Sequence, residues 1–163
     1  MATSNSSSAA PLDLVIFGGV GDLSVRKLLP ALYMAHLHNT LPDQTHIYAL
    51  GRQTWDRGAF LHFIEEKVRG FIGSKAYRDD VWASFVRRLS YVCVDATESA
   101  DYVGLKAEMQ PGADRVYYLA TAPSLFVGIC ANLQSADLID ERARVVLEKP
   151  LGHDLASARQ INH

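Results

Sequence analysis

The stretch Leu12-Asp13-Leu14-Val15-Ile16-Phe17-Gly18-Gly19-Val20-Gly21-Asp22-Leu23-Ser24 decides the fold. Its first half, Leu12–Phe17, is mostly apolar on consecutive positions, the pattern of a strand covered on both faces. Its second half is rich in glycine. Helical spacing follows over about residues 22–37, with Leu29, Leu32, Tyr33 and His36 on one face. A strand running through a glycine turn into a helix is the setting in which a phosphate loop has physical content. The glycines permit a tight turn and let the backbone approach a pyrophosphate. The free N–H groups and dipole at the helix start then hold the anion. Spaced as G-x-G-x-x-G, the match is Gly19, Gly21 and then Ser24 where a third glycine is usual. Alone, the loop fits dinucleotide enzymes and methyltransferases alike, and an ordinary glycine turn is the plainer alternative.

Four further short apolar runs follow at residues 46–50, 89–94, 115–120 and 144–147. Between them lie helical patterns over Arg57–Ile72 and residues 79–88, 100–109 and 124–133, and a sixth begins at Asp154. Strands alternating with helices imply right-handed crossovers and a three-layer α/β fold: a Rossmann-type, doubly wound parallel sheet. Pro30 falls inside the first helix, where its ring removes a ladder bond and should bend it. Residues 1–11, polar and small, read as a disordered leader without the basic and apolar regions of a signal peptide. Residues 12–163 then form one domain. Its last helix is cut by the end of the sequence at His163, so a fragment of something longer is expected.

Composition narrows the partners. With 163 residues, 48% hydrophobic and 21% charged, the chain reads as globular, and a net charge of −2 without a polybasic run argues against nucleic acid or an anionic membrane. No apolar run approaches the length of a bilayer span. Cys93 and Cys130 sit in apolar stretches and are expected as buried free thiols, which suits a reducing cytoplasm. No metal site is expected. His36 and His38 point to different helix faces, and the other histidines make no cluster.

Two more segments carry chemistry. The second strand ends in Gly51-Arg52-Gln53, without the acid that usually bonds the ribose 2′-hydroxyl of NAD. An arginine there can fork onto a 2′-phosphate, which favours NADP, although a solvated surface arginine would look the same. The last strand leads into Glu148-Lys149-Pro150-Leu151-Gly152, at the strand ends where ligands of open α/β sheets bind. Pro150 restricts Lys149 to an extended backbone, and an ammonium there could bond a sugar oxygen or stabilise charge near a nicotinamide. Tyr102 and Lys106 match the Tyr-x-x-x-Lys pattern of short-chain reductases. However, Tyr102, Leu105 and Met109 form a core stripe, and core packing is the expected role.

The block Gly18-Gly19-Val20-Gly21-Asp22-Leu23 with Arg26-Lys27-Leu28-Leu29-Pro30-Ala31-Leu32-Tyr33 resembles the opening of the glucose-6-phosphate dehydrogenases. Gly51-Arg52-Gln53, Tyr118-Leu119-Ala120 with Ala122-Pro123, and Glu148-Lys149-Pro150-Leu151-Gly152 with Asp154-Leu155 recur there in the same order. The resemblance covers nearly all of residues 12–163. It implies that Gly18, Gly19, Val20, Gly21, Asp22 and Leu23 hold the pyrophosphate of NADP, with Arg52 and Gln53 at the 2′-phosphate. Asp95 and Ala96 would line the adenosine side, Lys27 would lie near the active site, and Lys149 would touch both cofactor and sugar phosphate. It further implies hydride transfer from C1 of glucose 6-phosphate to NADP, with a His–Asp pair as base. The family's catalytic histidine, its sugar-phosphate signature and its substrate domain come after the last residue here, and subunit contacts are expected in that domain. The chain therefore reads as a cofactor half that binds but does not turn over. Two alternatives stand beside this: the coenzyme domain of another NADP-dependent sugar oxidoreductase, and a non-catalytic NADP-sensing module.

Overall fold

Every one of the five apolar runs forms a strand. β1 (Leu12–Phe17), β2 (Thr45–Gly51), β3 (Leu89–Cys93), β4 (Asp114–Leu119) and β5 (Ala143–Leu147) lie parallel in the order β3-β2-β1-β4-β5. The computed structural model describes residues 10–147, so residues 1–9 of the expected leader and the expected helix from Asp154 lie outside the described residues.

Alternation along the buried strands sends side chains into two cores. On one face Ile16, Ile47, Ala49 and Leu89 pack under α1 (Leu29–Leu37), α2 (Arg57–Ile72) and α3 (Asp79–Phe85). On the other, Val15, Phe17, Tyr117 and Leu119 pack under α4 (Asp101–Glu108) and α5 (Phe126–Ser135). The result is the expected three-layer, doubly wound sheet. Local signals set the helices: the Asp56 carboxylate caps α2 by accepting from the Ala59 N–H at 2.8 Å. The apolar face of α2 buries Phe60, Ile64 and Val68, each removed from water and worth about 1.5–3 kcal/mol. Deleting the Phe60 ring would cost about 3–5 kcal/mol.

The first helix differs most from the sequence expectation, while the helices expected over 79–88 and 124–133 exchange one end for a 3₁₀ turn. The helix expected over residues 22–37 is a π turn at Ser24–Leu28 followed by α1. Pro30 has no N–H to give the Arg26 carbonyl, and its ring crowds that oxygen. The winding widens by one residue, and the Leu29 N–H reaches back to the Ser24 carbonyl. The bend expected of Pro30 is thus a change of helical register immediately behind the glycine turn.

At the amino end of the sheet, Asp13 is fully buried. Its carboxylate accepts from the Gln110 backbone N–H at 2.9 Å and from Gln110 Nε2 at 2.8 Å, with Arg115 Nε at 4.0 Å. Asp13 pairs with His46 of β2 and Arg115 of β4 in the ladder, so this network pins the register at the end of the sheet opposite the glycine turn.

The cysteine expectation needs correction. Cys130 is half-buried, but Cys93 is exposed, because β3 is an edge strand and Cys93 is its last residue. Arg88 is the last residue of the 3₁₀ turn, Val86–Arg88, that follows α3. It donates to His36 Nδ1 at 3.1 Å and to the Thr45 carbonyl at 3.0 Å, tying that turn to α1 and to the entry of β2.

Candidate functional site

The strand order changes direction between β1 and β4, and crevices open beyond the carboxyl ends of strands at such a switch point. Phe17, Leu119 and Leu147 share one rung there, so β1, β4 and β5 end level with one another. A cleft of about 360 Å³ lies at this end, within the range of small-molecule sites.

Gly18, Val20 and Gly21 form its floor. Gly18 has φ of +74°, and a Cβ there would lie 2.6 Å from the Ala120 carbonyl oxygen. Gly19 lies behind this floor, where a Cβ would fall 2.6 Å from the Ala49 α-carbon. Both positions exclude a side chain, which draws the turn down between β2 and β4. Helical winding starts at Asp22, and the first intrahelical bond runs from the Val25 N–H to the Gly21 carbonyl at 3.0 Å. The N–H groups of Asp22, Leu23 and Ser24 precede that bond, which leaves them for an anion. Ser24 takes the place of a third glycine: it is fully buried, and its hydroxyl has no partner among the described residues. The glycine cradle, which no side chain can fill at Gly18, fits a pyrophosphate.

Arg52 and Gln53 leave the end of β2 and line one end of the cleft. Arg52 is exposed. Across from it, Asp95 and Ala96 follow β3 and line the same cleft. The Thr97 hydroxyl donates to Asp95 Oδ1 at 2.7 Å and the Thr97 N–H at 2.9 Å. Those two bonds hold the Asp95 carboxyl below the usual carboxylate range, and the Arg52 guanidinium adds a smaller pull. The Asp95 N–H donates to Asp101 at 2.9 Å, and the Ala96 carbonyl accepts from the Tyr102 hydroxyl at 2.8 Å. Tyr102 is therefore a core residue that pins the cleft wall, as its place in a stripe with Leu105 and Met109 implies.

The remaining candidates are less close to the cleft. Asp22 and Leu23 sit at the start of the helical winding, with Asp22 exposed and 3.5 Å from Arg26. Lys27 is exposed on the π turn and lies outside the lining of the cleft. Lys149 lies outside the described residues. Sequence reasoning missed Thr97, Thr121 and Leu125, which also line the cleft. Thr121 could have been found from the rule that every strand end at a switch point borders the ligand. Among the described residues there is no cluster of His, Cys, Asp and Glu that could hold a metal ion, and no helix long and apolar enough to cross a membrane.

A doubly wound parallel sheet with a glycine cradle at its switch point defines a dinucleotide-binding domain. A family model described as glucose-6-phosphate dehydrogenase, NAD binding domain, matches residues 15–163, and the chain belongs to that family. A glucose-6-phosphate 1-dehydrogenase of Mycolicibacterium smegmatis is 42% identical over 158 residues, covering 93% of this chain and 32% of the relative. One from Gluconobacter oxydans is 42% identical over 156 residues, with the same coverage. The chain thus spans about a third of the length of these relatives. The crystal structure of the Mycobacterium avium enzyme superposes with a TM-score of 0.82 at 35% identity, covering 95% of this chain and 33% of that one. A glucose-6-phosphate dehydrogenase in complex with its substrate superposes with a TM-score of 0.76 at 30% identity, covering 99% of this chain and 34% of that one.

Proposed function

We propose that this chain binds NADP in preference to NAD, as the coenzyme half of a polypeptide that oxidises glucose 6-phosphate to 6-phosphogluconolactone. The observation that carries the cofactor reading is the pairing of the glycine cradle with Arg52 at the far end of one cleft. The pyrophosphate lies against Gly18, Gly19, Val20 and Gly21, and the N–H groups at Asp22 and Leu23 face it. The Arg52 guanidinium takes the 2′-phosphate in a charge-assisted fork, Gln53 adds a neutral bond, and Asp95 and Ala96 border the adenosine. No acid stands at the end of β2 to favour the bare ribose of NAD. The bound cofactor supplies the hydride acceptor. Lys149, from the segment that follows β5, contacts both sugar phosphate and cofactor and orients the reacting carbon, with Lys27 nearby.

The relatives named as glucose-6-phosphate 1-dehydrogenases and the similar structure in complex with glucose 6-phosphate support the substrate. The sugar-phosphate pocket, the proton-accepting histidine and the subunit contacts belong in this reading to a second domain, and the setting is the cytoplasm. The polypeptide of these 163 residues is then a cofactor binder without turnover. The test is a direct absorbance assay of NADP reduction. Glucose 6-phosphate supports reduction by the intact polypeptide and none by residues 1–163 alone. Turnover by the short chain, with host enzyme excluded by an inactive variant, contradicts the division of labour. Inertness of the intact polypeptide towards glucose 6-phosphate contradicts the substrate.

A further inference from the structure

Three successive carbonyls in the turn after β2 are held by donors from β3 and the residue that follows it. The Gly51 carbonyl accepts from the Val94 N–H at 2.8 Å, the Arg52 carbonyl lies 3.6 Å from Cys93 Sγ, and the Gln53 carbonyl accepts from the Tyr91 hydroxyl at 2.5 Å. The first is an extension of the sheet ladder. The last is a side chain crossing from the neighbouring strand to grip the turn directly after Arg52, and no ladder geometry requires it.

Tyr91 is itself held. Its ring packs against Trp55 at 5.4 Å and Phe60 at 5.3 Å between centroids, and Trp55 in turn packs on Phe63 of α2 at 4.9 Å. Gly51 leaves room for the hydroxyl, since a Cβ at residue 51 would lie 3.0 Å from it. Like any tyrosine, Tyr91 is protonated at neutral pH and can donate; burial, the larger cause, and the neighbouring Cys93 push its hydroxyl further up to about 12 against the pull of the Gln53 carbonyl. A short bond from a packed phenol to the Gln53 carbonyl fixes the Gln53–Thr54 peptide plane and, with the Gly51 carbonyl held on the Val94 N–H, brackets the backbone of Arg52 from both sides.

That plane matters because the two walls at this end of the cleft carry opposite charges. Arg52 and Asp95 line the same cleft, and the Arg52 charge adds a small pull on the Asp95 carboxyl. The path of the backbone at residue 52 sets where the Arg52 side chain is rooted relative to that wall. We infer that Tyr91 is a positioning residue for cofactor discrimination: its hydroxyl, acting through the Gln53 carbonyl, holds Arg52 where it meets the 2′-phosphate. This rests on the assignment of Arg52 to that phosphate.

The test is calorimetric titration of NADP and NAD into the full chain, its Tyr91→Phe, Arg52→Ala and double variants, with thermal melting of each. Tyr91→Phe keeps the ring and its packing and removes only the donor. It lowers NADP affinity about fivefold, the size of one neutral hydrogen bond, leaves NAD affinity unchanged, and lowers the melting temperature by no more than a few degrees. In the Arg52→Ala background the same substitution has no further effect on either cofactor, because there is no guanidinium left to position. An NADP-to-NAD ratio unchanged in Tyr91→Phe but collapsed in Arg52→Ala overturns the inference and leaves the Arg52 assignment standing. Equal losses for both cofactors in Tyr91→Phe overturn it too, since they mark a general packing role. A ratio unchanged in Arg52→Ala overturns the assignment itself.

Discussion

The α-carbon of Gly19 packs directly on Ala49 of β2, so closely that a Cβ at residue 19 would lie 2.6 Å from the Ala49 α-carbon and 2.7 Å from its Cβ. Neither partner can retreat: Ala49 is fully buried in β2, and the Gly19 N–H in the turn after β1 is bonded to the Leu50 carbonyl at 2.8 Å. Gly19→Ala therefore overpacks a rigid contact and should cost about 1–3 kcal/mol of stability. Gly21 differs, since the nearest atom to its Cβ would be the Gly18 carbonyl oxygen at 3.3 Å. Urea unfolding of the two variants should show a clear loss for Gly19→Ala and a smaller one for Gly21→Ala. Equal losses would contradict the close approach.

The five strands are legible in the sequence because each is a run of apolar residues bounded by turns, and strands covered on both faces need nothing else. The cradle is legible for the same reason, since glycines between a strand and a helix leave few other readings. What stays hidden depends on neighbours distant in the chain. The π turn needs the clash of Pro30 with the Arg26 carbonyl, and the sequence shows only that something must give. Asp13 reads as one polar residue in an apolar strand until Gln110, 97 positions away, is seen to satisfy it. Tyr91 reads as core packing until its hydroxyl is found on the Gln53 carbonyl.

Asp13→Ala should be strongly damaging although Asp13 lies outside the lining of the cleft. It strips the Gln110 N–H of its acceptor and leaves Arg115, largely buried, beside an uncompensated space. Removing one member of such a buried charged network costs about 3–5 kcal/mol. Chemical denaturation measures it, and a loss below about 1 kcal/mol would mean that the network contributes nothing to the fold.

Acidification should weaken the fold before the carboxylates titrate. His36 Nδ1 accepts from Arg88 Nε at 3.1 Å, so its Nε2 carries the proton and donates to Ser84 Oγ at 2.7 Å. Burial first, and the Arg88 charge second, hold its pKa below the ordinary 6.5. The unfolded chain then binds a proton that the folded chain resists, so stability is complete above about pH 6.5 and falls as pH drops towards the folded value. His46 is lowered as well, mainly by burial, and adds to the slope. Melting temperatures at about pH 7.5 and 5.5 check this: the drop should shrink in His36→Gln, and an unchanged drop would assign it elsewhere.

Lys149→Ala in the intact polypeptide should damage turnover far more than cofactor affinity. A charged donor acting on the reacting centre is worth on the order of 3 kcal/mol in the transition state. Steady-state kinetics beside equilibrium NADP binding separates the two. An unchanged kcat with a raised dissociation constant would make Lys149 a cofactor anchor only.

The central claim is that the cleft distinguishes NADP from NAD through Arg52, and calorimetry of both cofactors on the wild-type and Arg52→Ala chains tests it most directly. A fork onto a phosphate is worth roughly 2 kcal/mol, so the variant should bind NADP tens of fold more weakly while NAD affinity barely moves. Because Arg52 is exposed, added salt should narrow the wild-type preference and leave the variant indifferent. Equal losses for NADP and NAD in Arg52→Ala, or a wild-type chain that binds the two alike, would contradict it.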